Sequence, residues 1–566
     1  MRRFLDGLTL AAALYLWIVI ACAGIAVPIG RFTLRSQKLE NPAMMVLVLG
    51  FVRAAVARKD GAHVAEAPVR ERGAGVLSAV WLCLLVPLAI VAWGRGFDGG
   101  FIREDFHRLE AVQHGAPWSG AQDGDGGLQS FWSRPVSLAV DALTYPVFGL
   151  DPRPWHQVNL ALHLLVALLV GLTALELTGR RATAVLACAL VALQPMAVEP
   201  VCWIAARDDL TAALFALVAA LALARGARGL SALAFLAALF SKESVLSLPA
   251  ALACVAWQTT PAQPRWARAR AALAAVVPHA LVLAAYLALR AHRMAGAGFD
   301  SGATLTDWQK VLLLPLSPLA PLAFPINMWS FAELAPFARV VVGGALLAGV
   351  ALALARWSTL TRGPAPALYA MTLALTVPVY RMIHLSATLQ NDRYLYLPGL
   401  AFAMLVAHLW TENARAWPRA RLIPALALGA CFCLARMNAE PWVAAGAVAA
   451  RVNRDLAPVA EFAERETRVR LTGLPDSYRG AFLFGLSTVV DPMVVLYGFP
   501  RAYRWHLEET YHARTVRPPR AAGEPEVYWE PEDGFVLVPE PHSVSTRSLK
   551  LASISPVVPS GSGMIR

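Results

Sequence analysis

The sequence is poor in charge: 16% of its 566 residues are Asp, Glu, Lys or Arg, against 57% hydrophobic. Soluble domains carry about 25% charged residues, so a soluble enzyme of this length is excluded. Lysine is scarcer still, five among 50 basic residues, so each Lys stands out. The seven cysteines are odd in number and show no CxxC spacing. Cys22, Cys83, Cys188, Cys254, Cys431 and Cys433 sit inside apolar runs and Cys202 just past one. That excludes a disulfide scaffold and a zinc site, and they read as small buried apolar residues. No repeat of about 34 residues occurs, which excludes a helical-repeat array. No cluster has metal-ligand spacing, so neither a structural metal nor a cofactor is expected; a loosely held divalent ion stays open.

What the chain has is apolar length. A span of the hydrocarbon core needs about 20 residues, and such runs recur near 8–29, 76–94, 157–176, 182–198, 209–224, 271–290, 337–355, 366–384, 395–411 and 421–435. Shorter runs at 43–57, 230–240 and 244–258 suit broken or re-entrant helices. The first run is longer than the apolar core of a signal peptide, so it is expected to stay as a first span. The expected fold is an all-α polytopic membrane protein of about 11–13 transmembrane helices, with a small C-terminal α+β appendage. Three parts are expected: a membrane hairpin and linker over 1–72, a membrane core over 73–435 with a large loop at 95–155, and the appendage over 436–566. Within the appendage a charged helix is expected over Asp455–Arg470, strands over Val489–Leu496 and Phe535–Val538, and a mobile tail from Ser543. Pro315, Pro318, Pro321 and Pro325 predict irregular chain between Leu314 and Pro325.

The net charge of +12 lies entirely in residues 1–435, because 436–566 holds 15 basic and 15 acidic side chains. Arg-bearing short loops fall on alternate connections: Arg2/Arg3, Arg53 to Arg72, Arg180/Arg181, Arg225/Arg228, Arg265 to Arg270, Arg356/Arg362 and Arg415 to Arg421. The positive-inside rule places them in the cytoplasm and the appendage outside. The basic excess therefore reads as membrane orientation, not nucleic-acid binding. The expected setting is a bacterial inner membrane, with the chemistry facing the periplasm or exterior.

Ionisable groups near membrane depth are costly and mark functional candidates. Five clusters stand out: Phe101-Ile-Arg-Glu-Asp-Phe-His107; Phe131-Trp-Ser-Arg-Pro135 with Trp155-His156, Asn159 and His163; Gln194 to Val201 running on to Arg207-Asp208-Asp209; Ser241-Lys-Glu243; and Asn391-Asp-Arg-Tyr-Leu-Tyr-Leu-Pro398. Singly each has a plain reading. Glu104 and Asp105 suit a solvated loop, Asn159 and His163 an interhelical contact, Arg207 with Asp209 and Lys242 with Glu243 structural ion pairs, and Tyr394 and Tyr396 an interfacial belt.

Together and in this order the clusters resemble the GT-C class of membrane glycosyltransferases that use a polyprenyl-phosphate sugar. The likeness is to the protein O-mannosyltransferases and their relatives carrying tetratricopeptide repeats, and it covers residues 76–435. The acidic residue after an early span is matched by Glu104-Asp105, and the Arg-Pro before an Asn…His helix by Arg134-Pro135, Asn159 and His163. The Pro…Glu-x-Val and Arg-x-Asp stretch is matched by Pro195, Glu199, Val201, Arg207 and Asp209. Lys242-Glu243 and the run Arg393 to Pro398 complete it. Two departures stand out: Gln194 replaces a His before Pro195, and Asp392 a Glu before Arg393. The repeats are absent.

The resemblance implies transfer of a sugar, mannose among the candidates, from a polyprenyl-phosphate donor to a hydroxyl acceptor with inversion. The residue chemistry suits that reaction. One carboxylate takes the acceptor's proton, cations hold the phosphate leaving group, and an apolar groove takes the lipid chain. Asp105 is the expected base, and Arg207, Lys242 and Arg393 the expected phosphate clamp. Glu104, Arg134, Asn159, His163, Glu199, Asp209, Glu243, Tyr394 and Tyr396 are expected to support them. Expected partners are the lipid-linked donor, membrane lipid and a protein or glycan acceptor in the cell envelope. Two rival classes stand beside this one: a transporter or flippase for a lipid-linked or anionic solute, and a catalytically inactive scaffold. A transporter would gather charge at the midplane of inverted repeats; here the charges lie at span ends, without a two-fold echo.

Overall fold

The computed structural model describes residues 2–22, 25–29, 32–36, 40–56, 74–113, 134–261, 264–293, 318–380 and 388–465. It also describes the appendage segments 469–474, 477–479, 481–484, 490–497, 507–511, 526–530, 534–538 and 549–550. The chain divides into two compact units, residues 1–98 with 116–443, and residues 99–115 with 444–566. Residues 99–115 of the loop expected at 95–155 thus belong to the second unit, and the division falls at Val443/Ala444 within helix Leu422–Arg465, whereas the sequence placed a boundary after residue 435.

Among its described residues the first unit is helical apart from a hairpin of β1 (Ile25–Ile29) and β2 (Phe32–Ser36). Among the described residues six helices are long and apolar enough to cross a membrane: Gly75–Asp98, Pro152–Thr178, Arg265–His292, Pro336–Ala353, Asp392–Ala416 and Pro418–Glu461. The bent pair Arg181–Ala192 and Pro195–Cys202 makes a seventh. Five expected spans appear as shorter apolar helices or, in the case of Arg207–Ala224, as a helix whose first turn carries three charges. The chain is an integral membrane protein whose spanning elements are α-helical.

Local chemistry explains the ends. Pro152 opens its helix at the first position, where a missing N–H costs nothing, and Asp151 caps it by accepting from Arg153 N at 3.1 Å. Gly179, at φ +69°, closes it in the left-handed conformation that glycine adopts without strain. The 42° bend falls at Gln194-Pro195, where proline removes a backbone donor and forces the preceding residue out of the helix. Pro318 to Pro325 forms only the short helix Leu319–Ala323 before extended chain; Leu314 and Pro315 lie outside the described residues.

Burial separates centre from rim. In the most apolar window of Asp392–Ala416, 83% is buried, whereas Gly75–Asp98 buries 22% and exposes Leu82, Leu84, Ile90 and Val91, as a lipid-facing helix does. Gly171 lets helix Pro152–Thr178 approach its neighbour, since a Cβ there would meet Ala184 O and Cys188 Cβ at 3.1 Å. Cys188, Cys202 and Cys431 are buried as expected, but Cys22, Cys83 and Cys433 are exposed. At one end, Arg225 pairs with Glu176 at 3.0 Å and Arg180 with Glu412 at 2.5 Å, gathering two Arg-bearing turns.

The second unit is α+β. Its sheet has the order β6-β3-β7-β8-β9, from β3 (Val469–Leu474), β6 (Leu507–Tyr511), β7 (Glu526–Glu530), β8 (Gly534–Val538) and β9 (Leu549–Lys550), with a separate pair of β4 (Ser477–Tyr478) and β5 (Ala481–Phe482). Strand β3 pairs in parallel with β6 and β7, while β7, β8 and β9 run antiparallel. The strand expected at Phe535–Val538 is β8. The one expected at Val489–Leu496 is instead helix Val490–Tyr497, whose first turn accommodates Pro492, a residue disfavoured inside a strand. The expected charged helix ends at Arg465, and the tail from Ser543 lies outside the described residues save β9.

Candidate functional site

The first unit brings four basic side chains and five carboxylates together where helices Pro135–Phe148, Arg207–Ala224 and Tyr396–Ala416 begin. Arg134, the residue before Pro135, binds Asp208 at 2.5 Å and Glu243 at 3.1 Å. Lys242 binds Asp209 at 2.6 Å. The neighbours Asp208 and Asp209 thus face the neighbours Lys242 and Glu243 through Arg134 as a bridge. Lys242 and Glu243 precede helix Leu248–Thr259, placed by the break after helix Arg228–Leu239. Burial alone would push the Glu243 carboxyl up, but Arg134 and Lys242 hold it below its ordinary value. Burial likewise disfavours the Arg134 cation, yet Asp208 and Glu243 keep its pKa above the usual arginine value.

Arg393 lies on the next wall. Its Nη1 donates to Glu199 at 3.0 Å and its Nη2 to the Tyr394 hydroxyl at 3.3 Å. Its guanidinium is 4.8 Å from the ring centroids of both Trp203 and Tyr394. Lys242 Nζ lies 5.4 Å from the same Tyr394 ring, so one aromatic face adjoins two cations. Trp203 in turn stacks on Trp442 at 6.0 Å.

Arg207 differs from both. It is fully buried, and its donors go to Asp141 at 2.6 Å, Asn159 Oδ1 at 2.8 Å and the Trp155 carbonyl at 3.1 Å. Asn159 then donates to the carbonyls of Pro200 and Trp203 at 3.1 and 3.0 Å. This geometry corrects the expectation that Arg207 clamps phosphate: the guanidinium joins three helices and the 200–204 turn, with no face open to a ligand. His163 Nδ1 meets the buried Tyr396 hydroxyl at 2.8 Å, so Asn159 and His163 make interhelical contacts and Tyr396 is a core residue, not a belt residue.

Beside this cluster is an apolar cavity of about 340 Å³, walled by apolar residues such as Leu190, Leu322, Leu346 and Phe402. Gln194 and Pro195 line it, and Glu199 lies only four residues further along the same irregular segment. The Gln194 Oε1 is buried without a hydrogen-bond partner.

Asp105 and Glu104 belong to the second unit. Asp105 is buried at the start of helix Asp105–Gln113, its Oδ2 accepting from Ile102 N at 2.9 Å, beside Phe101 and Phe106. The Glu104 side chain is half exposed and 3.6 Å from Arg103, whose guanidinium covers the Phe482 ring. Phe131 to Ser133 of the second cluster lie outside the described residues.

No family model matches the chain. Over 172 residues it is 28% identical to protein O-mannosyl-transferase TMTC1 of Homo sapiens, and over 182 residues 30% identical to that of Mus musculus. These stretches cover 28% and 30% of this chain and 19% of each relative, so the chain matches about a fifth of their length. The chain thus resembles the O-mannosyltransferases in sequence. Two crystal structures of ArnT from Cupriavidus metallidurans align over 70% of this chain and 83% of theirs, at 16% identity. The TM-score is 0.30 for the form bound to undecaprenyl phosphate and 0.32 for the apo form.

Three contributors escaped the sequence reading. Asp141 is the partner of Arg207; its only signal was a carboxylate inside the apolar run after Pro135. Asp208 was visible in its cluster but not as the partner of Arg134. Trp203 gave no signal, since a tryptophan after an apolar segment commonly marks an interface. Among the described residues no three His, Cys, Asp or Glu side chains are grouped to hold a metal ion.

Proposed function

We propose that this chain is a membrane glycosyltransferase that moves a sugar from a polyprenyl-phosphate donor to a hydroxyl acceptor. The observation that carries the reading is the pair of cations Lys242 and Arg393 on the Tyr394 ring, beside a segment that also walls an apolar cavity. A lipid phosphate needs both features: charge for its head and an apolar channel for its tail. The sequence likeness to O-mannosyltransferases supports sugar transfer, with mannose as the proposed sugar.

In the proposed reaction the acceptor oxygen attacks the anomeric carbon from the face opposite the phosphate. Its proton passes to Asp105, the bond from carbon to phosphate oxygen breaks, and the electron pair leaves with the phosphate. Lys242 and Arg393 neutralise the charge that grows there. No second carboxylate is required, because phosphate leaves unprotonated. The proposed active face is the periplasmic or exterior one of a bacterial inner membrane, opposite the Arg-bearing turns.

The test is to incubate the purified protein in lipid vesicles with radiolabelled polyprenyl-phosphate mannose and follow polyprenyl phosphate release. Release that depends on Lys242 and Arg393 supports transfer. Movement of the intact donor between leaflets without cleavage would instead establish a transporter.

A further inference from the structure

Glu199 is fully buried and its carboxylate accepts three N–H groups of one turn. Asn391 N lies at 2.7 Å, Arg393 N at 3.4 Å and Arg393 Nη1 at 3.0 Å. The turn itself is unusual. Leu389 and Asn391 both take the left-handed conformation, at φ +58° and +70°, which side-chain-bearing residues keep only where their surroundings over-determine it. Here two groups from one segment do so. Met196 packs in a buried cluster with Leu389 and Leu395, and Glu199 binds the turn's amides. The same segment ends in Trp203, one of the two rings flanking the Arg393 guanidinium. Arg393 is therefore fixed in direction by Glu199, Trp203 and Tyr394, while its side chain keeps 11% exposure.

We infer that Glu199 is a positioning residue: it holds the 389–393 turn and aims Arg393 at the lipid phosphate, and it takes no proton itself. The inference rests on the proposed function, in which Arg393 meets that phosphate. Three of the carboxylate's four lone-pair sites are taken by these donors and it is closed to solvent, so an acceptor hydroxyl has no path to it. Glutamine at this position keeps an oxygen for Asn391 N but turns an NH₂ toward both Arg393 N and Arg393 Nη1, so donors face each other and the guanidinium is pushed from its place.

The test measures binding of two probes to the purified full-length protein in detergent: a polyprenyl phosphate and the polyprenol of the same length. Their affinity ratio isolates the phosphate contact. We expect Glu199→Gln to lower that ratio about five- to tenfold, as does Arg393→Ala, with polyprenol binding unchanged. The double variant should be no worse than Arg393→Ala alone, since a residue that acts only through Arg393 has nothing left to position. Glu199→Asp, which keeps the charge but draws it back by one methylene, should fall between; the same cycle runs on it should Glu199→Gln fail to fold. Additive losses in the double variant, or an equal loss of polyprenol binding, would overturn the inference while leaving Arg393 as a phosphate ligand. A higher ratio in Glu199→Gln would show that the carboxylate competes with phosphate, and would also overturn it. No effect of Arg393→Ala would remove the proposed role of Arg393, and the inference with it.

Discussion

Arg207→Ala should lower the stability of the membrane unit rather than merely weaken a ligand contact. The substitution deletes the bonds to Asp141 at 2.6 Å, Asn159 at 2.8 Å and the Trp155 carbonyl at 3.1 Å. It leaves the fully buried Asp141 without its cation. Breaking a buried pair by removing one partner costs about 3–5 kcal/mol, most of it the penalty for the charge left behind. The loss should appear in unfolding of the detergent-solubilised protein by heat or by added ionic detergent. A double variant, Arg207→Met with Asp141→Leu, removes both charges and fills the space, and should recover most of that stability, because apolar replacement of a buried pair is often neutral. Polyprenyl phosphate binding should recover with it. The reasoning is refuted if Arg207→Ala unfolds like wild type yet no longer binds the phosphate lipid, since Arg207 would then be a clamp.

Three further outcomes follow from the site. Lys242→Met should weaken polyprenyl phosphate binding about 10- to 100-fold, and Lys242→Arg should recover little, because a planar fork does not replace a compact ammonium between Asp209 and the Tyr394 ring; unchanged titrations would remove Lys242 from the clamp. Asp105→Asn should cut turnover about 10²–10⁴-fold with donor binding intact, whereas Glu104→Gln should stay near wild type; equal effects of the two would place the base elsewhere. Glu243 contributes stability through a depressed pKa, so that contribution is complete above its ordinary value of 4.5 and is lost as pH falls through the lower folded value. As pH falls below 4.5 wild type should therefore lose more thermal stability than Glu243→Gln, and parallel pH profiles would contradict the ion pair with Arg134.

Much of the architecture was legible because the bilayer makes apolar length a direct signal. The helices Gly75–Asp98, Pro152–Thr178 and Pro336–Ala353 lie where the runs were. The short runs were harder, since twelve apolar residues describe a crossing helix, a half-crossing one and a buried core segment equally well; Arg228–Leu239 and Leu248–Thr259 are such cases. In the site, the rule that charge interrupting apolar sequence is costly picked out Arg207, Lys242 and Arg393. It could not say which charge pairs with which. Arg207 was grouped with Asp209, two residues away, but its partner is Asp141, 66 residues earlier. Asp209 instead meets Lys242. On helix Arg207–Ala224, positions 207 and 209 point about 200° apart around the axis, so that closeness in sequence was a reason against pairing. Tyr394 and Tyr396 show the same geometry on helix Tyr396–Ala416 and the turn before it: one faces the cations, the other His163.

The charge balance bears on how a phosphate can be held. Around Arg134, Arg207, Lys242 and Arg393 stand Asp141, Asp208, Asp209, Glu199 and Glu243, and every one of these carboxylates is paired with a named cation. The cluster is not a bare basic patch, so tight binding of any anion is not its natural property. A sugar linked to a lipid phosphate carries one negative charge, and the leaving phosphate acquires a second as the bond breaks. Cations already neutralised by carboxylates exert a weak pull on the first charge and can transfer more of their attraction to the second. On the proposed reading, that is the differential stabilisation that accelerates a reaction, because contacts made equally in ground and transition states do not raise turnover. Arg207 cannot take part, since its donors are spent on Asp141, Asn159 and Trp155. Lys242 and Arg393 can, since each is paired with one carboxylate rather than with a full set of buried acceptors. Arg393 keeps its Nη1 on Glu199 while its side chain remains 11% exposed, so on that reading the guanidinium meets the phosphate without breaking its pair.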